Sequence, residues 1–461
     1  MSFKDESRVE QTMAGKIDES PALKRVTRKI LFRLAPFVAM LYFFSMLDRA
    51  AIAYAAPNGM NTDLGLTATQ FGLASSLFFL GYIPFSIPIS LALRRFGARR
   101  GLAMILVAWG AVQALTALTF DATSLNVLRV LLGVTEAAFV PLVLAYLTAW
   151  LPSKPRARAF SIFFIAASLA TVIGGPLLVF ILQWGQSLHA DMAGWRFMFL
   201  FSGVVPMAIG IIVPFYLKDH PDRASWLSAV ERETLSRAVN NELAAVDAGS
   251  RRATDAFRSG RAWALTAGYM APMFAVYILT FFLPTMISSF SPNATPLEVS
   301  LLASIPFIFA IIGILTLGRS ISRFGHPGLH MLIALTIGAA GALLAFANTG
   351  PLVNMIGLSI AALGCLSVPP AAFSIPTRIF AGGAAVAVIS MMTSISSIGG
   401  LLGPVVTGFF ADLTGSALNV FAVVAALLVL CGVIFYTVDR RSERELDRAA
   451  ETREPAVLEG H

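Results

Sequence analysis

Apolar runs of roughly 20 residues, each long enough to cross a bilayer core of about 30 Å, recur along this chain between short polar breaks. Twelve such runs can be read. In the first half they lie at 30–55, 69–93, 101–120, 124–150, 158–183 and 196–217. In the second half they lie at 263–289, 297–318, 329–347, 352–375, 384–410 and 417–437. Every backbone N–H and C=O in lipid must find a partner inside the structure, so the spans are expected to be helices. The composition agrees, because only 13% of the 461 residues are charged, against about 25% in a soluble domain.

The net charge of +8 would suggest a nucleic-acid partner in a soluble protein, but here the charges sort by side of the membrane. The loops 56–68, 121–123, 184–195, 290–296, 348–351 and 411–416 contain no Lys or Arg. Apart from Arg49, Arg129 and Arg196, the basic residues lie at the opposite ends of the spans, among them Lys24, Arg25, Arg28, Lys29, Arg94, Arg95, Arg99, Arg100, Arg440, Arg441 and Arg444. By the positive-inside rule that side is cytoplasmic, with both termini on it, and an even number of spans follows. The first 28 residues are charged, with neither an apolar core nor a small-residue cleavage site, and are read as a cytoplasmic tail rather than a signal peptide. Cys365 and Cys431 fall inside different spans and are expected to pack as small apolar groups, with no disulfide and no metal.

One long polar stretch, with Asp219, Arg223, Glu231, Arg232, Glu233, Arg237, Arg251 and Arg252, divides the spans six and six. The expected organisation is a tail at 1–28, a six-helix bundle at 29–217, a linker at 218–260, a second bundle at 261–438 and a tail at 439–461. Leu227, Val230, Leu235 and Val239 are spaced loosely for an amphipathic helix lying partly on the membrane surface. The halves also repeat at an offset of 228 residues: Arg95-Phe96-Gly97 falls on Arg323-Phe324-Gly325, Gly175-Pro176 on Gly403-Pro404, and Pro141 on Pro369. The fold class is therefore an all-α membrane protein of twelve transmembrane helices in two pseudo-symmetric six-helix bundles, an architecture that holds substrate between its halves near the bilayer midplane.

Ionisable residues deep in a span are costly and need a reason. Four stand there: Asp48 and Arg49 in span one, Arg129 and Glu136 in span four. The repeat acts as a control, since the matching positions are Val276, Tyr277, Gly357 and Gly364. The charges thus serve something that only the first half does, or else they form ion pairs that merely lock two helices. Arg129 and Glu136 lie about 10 Å apart along one helix face and cannot easily pair with each other. Cross-helix pairs Asp48 with Arg129 and Arg49 with Glu136 are within reach. Two arginines beside a central cavity favour an anion, because guanidinium grips a carboxylate through paired hydrogen bonds. Asp48 and Glu136 are the candidates for proton coupling. In span eleven Ser390, Thr393, Ser394 and Ser397 make a hydroxyl stripe, of which Thr393 and Ser397 are candidate substrate contacts, as are Tyr82 and Tyr277; packing is the other reading for all of them.

Several strings resemble the anion:cation symporter family of the major facilitator superfamily, over nearly all of residues 30–437: Leu47-Asp48-Arg49, FLGYIP from Phe79, RRFGARR from Arg94, RVLLGVTEAAFVP from Arg129, GWRFMF from Gly194 and FYLKDHPDRASWLSAVER from Phe215. FFLPT, IPT and SSIGGLLGP in the second half complete the pattern. The resemblance implies symport of small organic anions, often sugar acids, dicarboxylates or aromatic acids, with protons in bacteria, and Asp48, Arg49, Arg129 and Glu136 match the charged residues that sugar-acid members use. The chain departs from the pattern at Arg94 and Ser322 in the loops after spans two and eight, and at Met46, Thr393 and Ser397, which leaves a less hydroxylated or aromatic acid open.

The expected protein is a monomeric transporter in the plasma membrane, an inner membrane if bacterial. It would import a small organic anion, such as a carboxylate or sugar acid, with protons and no cofactor. An exporter or antiporter on the same fold and a non-transporting nutrient sensor are the alternatives. An enzyme is not expected: no His lies deep in a span, no nucleophile sits beside a base, and the P-loop pattern for ATP is absent.

Overall fold

The computed structural model describes residues 21–188, 191–247, 258–380 and 383–451. The first half forms α1 (Pro21–Ala55), α2 (Ala68–Arg94), α3 (Ala98–Thr116), α4 (Ala122–Glu136 and Phe139–Trp150), α5 (Ser153–Leu188) and α6 (Gly194–Tyr216). The second forms α7 (Gly260–Phe290), α8 (Pro296–Phe324), α9 (Pro327–Ala347), α10 (Pro351–Leu366 and Val368–Ile379), α11 (Gly383–Thr414) and α12 (Phe421–Glu451). Eleven of the described helical stretches are long and apolar enough to cross a membrane. The twelfth, α3, opens with Arg99 and Arg100, which lower the mean hydropathy of an otherwise apolar helix.

Two helices outrun their apolar segments. α1 begins at Pro21 and α12 continues to Glu451, because the flanking Arg, Glu, Leu and Ala are good helix formers whether or not lipid surrounds them. The rest of both expected tails, at 1–20 and 452–461, and Arg251 and Arg252 of the linker lie outside the described residues.

The internal repeat is structural. Gly97, in the turn between α2 and α3, and Gly325, at the end of α8, both have positive φ, +82° and +69°, where a side chain would be strained. Both helices also begin with a capping box, Thr67 with Gln70 and Thr295 with Glu298, again 228 residues apart. Pro141 and Pro369 lack the N–H that would bond the carbonyl four residues earlier, and α4 and α10 are each interrupted just before them. Packing repeats as well: α1 lies on α5, α2 on α4 and α3 on α6, while α7 lies on α11, α8 on α10 and α9 on α12.

The two bundles meet along α2 with α11 and α5 with α8, and α1 also touches α7. On the face opposite the termini, hereafter the far face, α2 and α11 touch backbone to backbone. Gly72 lies against the Pro404 carbonyl and Gly408 against the Ala68 carbonyl, where any Cβ would clash. The far face is therefore closed between these helices.

The linker packs on protein, which corrects the membrane-surface reading. Its helix, Ala229–Asp247, lies against α1 and α4. Leu227, Leu235 and Val239 are buried, and of the four apolar positions only Val230 is exposed. Trp226 stacks on Trp150 with ring centroids 5.7 Å apart. Lys29 and Arg33 cover the Trp226 ring at 5.9 and 5.1 Å, and Lys29 Nζ pairs with Glu231 Oε2 at 3.2 Å.

Candidate functional site

Close contact of α2 with α4 positions the buried charges. Gly81 lies against the Val130 carbonyl and Gly133 against the Phe78 carbonyl, with no room for a Cβ at either. Small residues that let two backbones touch are the usual means of helix association in lipid. The contact lays the Arg129 to Glu136 face of α4 beside α2. In the second half, Gly357 and Gly364, the repeat mates of Arg129 and Glu136, instead press on α9 at Gly341 and Gly338. The fold thus uses those two positions for packing in one half and for charge in the other.

Glu136 is the hub. It is fully buried at the interruption of α4. Arg49 Nε of α1 donates to its Oε2 at 3.2 Å, and the Ser45 hydroxyl donates to its Oε1. The expected Arg49 to Glu136 pair therefore forms. Arg49 Cζ lies 4.7 Å from the centroid of Phe78 and 4.9 Å from that of Tyr82, distances at which a ring face attracts a cation. The Arg49 side chain is 15% exposed while Glu136 shows none of its surface.

Asp48 and Arg129 do not pair. Both are 1% exposed, yet neither Asp48 carboxylate oxygen nor either terminal nitrogen of Arg129 has a hydrogen-bond partner. Arg129 Nε donates to the Ala74 carbonyl at 3.3 Å, and its Cζ lies 5.6 Å from the Phe78 centroid. Arg129 is thus held beside the ring that Arg49 covers. Buried charges without partners are costly.

The uncharged candidates divide. Tyr82 stacks on Phe78 at 5.5 Å, and Tyr277 of α7 meets Phe79 of α2 at 4.7 Å. Phe79 in turn rests on Gly400 of α11, which has no room for a side chain there. Phe79, Tyr277, Phe281 and Gly400 so form an aromatic plug between the bundles. Ser397 and Thr393 precede Gly400 at helical spacing, nearer the face of the termini. Their hydroxyls donate to their own helix: Thr393 Oγ1 to the Ile389 carbonyl at 3.0 Å and Ser397 Oγ to the Thr393 carbonyl at 3.1 Å. Arg49, Tyr82 and Tyr277 are brought to one level through Phe78 and Phe79, whereas no described contact joins Thr393 or Ser397 to the charges.

Sequence reading missed three residues. Ser45 lies one helical turn before Arg49 and was detectable by that spacing. Gln113 of α3 is a fully buried amide at membrane depth whose Nε2 reaches the Asp48 carbonyl at 3.4 Å and Ser202 Oγ at 3.3 Å. Tyr42 stacks on Phe163 at 4.2 Å and gave no signal beyond being aromatic. Among the described residues no group of His, Cys, Asp and Glu is arranged to hold a metal ion.

Comparison with known proteins bears on the family and the fold. A putative tartrate transporter of Agrobacterium vitis is 36% identical over 425 residues, 92% of this chain and 93% of that one. A quinolone resistance transporter of Acinetobacter baumannii is 30% identical over 434 residues, 94% and 99% of the two chains. Among solved structures, an inward-facing, unoccupied bacterial homologue of the human lysosomal transporter Spinster superposes with a TM-score of 0.68 at 18% identity, covering 92% of this chain and 98% of its own. The Major Facilitator Superfamily profile matches residues 38–293 and 266–459. With its twelve helices in two repeated bundles and its relatives named as transporters rather than enzymes, the chain belongs to the major facilitator superfamily.

Proposed function

We propose that this secondary transporter is a proton-coupled symporter of the anion:cation type that takes up a small organic anion, with a carboxylate as the class. The observation that carries the reading is the Arg49 guanidinium. Among the described residues it is the most exposed of the four central charges, stacked beside Phe78 and Tyr82 and held by Glu136 alone among the carboxylates. A substrate carboxylate competes with Glu136 for that guanidinium. Protonation of Glu136 removes the competitor and lets Arg49 turn to the substrate, so that proton and anion load together. Tyr82 and Tyr277 supply ring faces and hydroxyls to the rest of the molecule. Asp48 and Arg129 form a second proton and charge site behind Phe78. Both termini lie in the cytoplasm on this reading, and the protein works as a monomer.

The names of relatives support the class. Tartrate is a dicarboxylate, and the Agrobacterium relative bears that name. The quinolone resistance relative favours a second reading, export on the same fold. Purified protein in liposomes, given tartrate, sugar acids and aromatic acids with an imposed pH gradient, separates the two. Symport gives accumulation when the outside is acidic. Accumulation only when the inside is acidic refutes the uptake reading in favour of antiport, and no movement of any carboxylate refutes the substrate class.

A further inference from the structure

The internal repeat gives two bundle interfaces that share an ancestry of sequence but differ in how they are fastened. On the far face, the first turn of α2 has all four of its leading N–H groups satisfied. Thr67 N donates to Gln70 Oε1 at 2.9 Å and Gln70 N to Thr67 Oγ1 at 3.2 Å. Ala68 N and Thr69 N donate to Asp412 Oδ1 and Oδ2 at 3.1 and 2.8 Å. Asp412 belongs to α11, so half of this cap comes from the other bundle. The same contact brings Gly408 against Ala68 and Gly72 against Pro404.

The repeat-related interface, α5 with α8, has no such cap. The mate of Asp412 is Trp184, which turns instead to Phe197 of α6 at 5.6 Å. The mate of Ala68 is Pro296, which has no N–H to offer. A carboxylate thus stands where the partner helix presents two first-turn donors, and is replaced where one of the two is missing. At mid-height the asymmetry reverses. Pro176 frees the Val172 carbonyl on α5, and Ser304 Oγ of α8 donates to it at 2.7 Å. Its mate Ser76 on α2 is fully buried with its hydroxyl unpartnered, although Pro404 frees the Gly400 carbonyl in the same way.

We propose that Asp412 is a latch that holds the far face shut between α2 and α11, and that the Ser304 to Val172 contact is the pivot that α5 and α8 keep while the latch opens. The carboxylate suits this task because its attraction to a helix N-terminus is strong at contact and falls off within one turn, so the closed form is favoured without a deep hydrophobic seal. The proposal rests on alternating access and is independent of the substrate and the coupling ion.

Spin labels at Thr62→Cys and Asn293→Cys, exposed far-face positions on the two bundles, report the opening as a distance distribution in lipid. Cys365 and Cys431 are buried and stay unlabelled. Asp412→Ala should raise the ratio of open to closed far face roughly tenfold, the size expected for loss of a charged cap. Asp412→Asn, which keeps one acceptor oxygen without the charge, should raise it a few-fold and serves if the alanine variant does not fold. Ser304→Ala should leave that ratio near wild type. Unchanged distances in the Asp412 variants overturn the latch, even where their melting temperature falls. An opening in Ser304→Ala as large as in Asp412→Ala overturns the division between latch and pivot.

Discussion

Replacing Glu136 by Gln separates coupling from binding. The substitution keeps the shape and one acceptor oxygen toward Ser45 or Arg49, and removes a fully buried negative charge 3.2 Å from Arg49 Nε. At an effective dielectric of about 20, two unit charges at that distance attract by about 5 kcal/mol. Desolvation of the carboxylate offsets a large part of this. If about half survives as competition, freeing Arg49 strengthens anion binding by ~2 to 3 kcal/mol, roughly 30- to 150-fold in Kd. Exchange of labelled for unlabelled substrate across liposomes should persist, and accumulation driven by a pH gradient should vanish. An ion pair that only locks α1 to α4 gives another pattern, in which exchange, accumulation and melting temperature decline together. Gradient-driven accumulation at the wild-type level in Glu136→Gln would falsify the assignment of Glu136 to coupling.

Arg49→Lys keeps the charge but loses the planar stack beside Phe78 and Tyr82, and should weaken substrate binding about 10- to 100-fold; wild-type Kd and uptake rate would remove Arg49 from charge recognition. Gly133→Val should fail to yield folded protein, because its side chain meets the Phe78 carbonyl; a monodisperse variant with wild-type melting temperature would refute the close contact of α2 with α4. Trp226→Ala removes the stack on Trp150 and the ring beneath Lys29 and Arg33. The ring is only partly buried, so the loss should cost about 1 to 3 kcal/mol of stability and expose the linker to protease, with substrate Kd unchanged; protease resistance equal to wild type would show that the linker is not held there.

Much of the architecture was legible in the chain. The apolar runs marked the membrane segments because lipid admits only internally bonded backbone, and the 228-residue offset announced two related bundles through residues whose backbone demands are local: Gly97 and Gly325 at turns, Pro141 and Pro369 at breaks. The four buried charges stood out for the same reason, since each is expensive in lipid wherever its neighbours lie. The paired readings had mixed fortunes. Arg49 with Glu136 met, while Asp48 with Arg129 did not, although helical rise placed both pairs at compatible depths.

Depth and face follow from position along one helix, but the rotation and separation of neighbouring helices do not. Those were set by contacts far apart in sequence: Gly81 and Gly133 drawing α2 onto α4, Gly400 admitting the Phe79 ring, Gly408 and Asp412 closing on the first turn of α2. The linker shows the same division. Its loose apolar spacing fixed that one side would be covered, and only the folded chain decided that the cover is α1, α4 and Trp150 rather than lipid. A sequence specifies what each segment must bury; which partner buries it depends on where backbones are free to touch, and that is a property of two helices together.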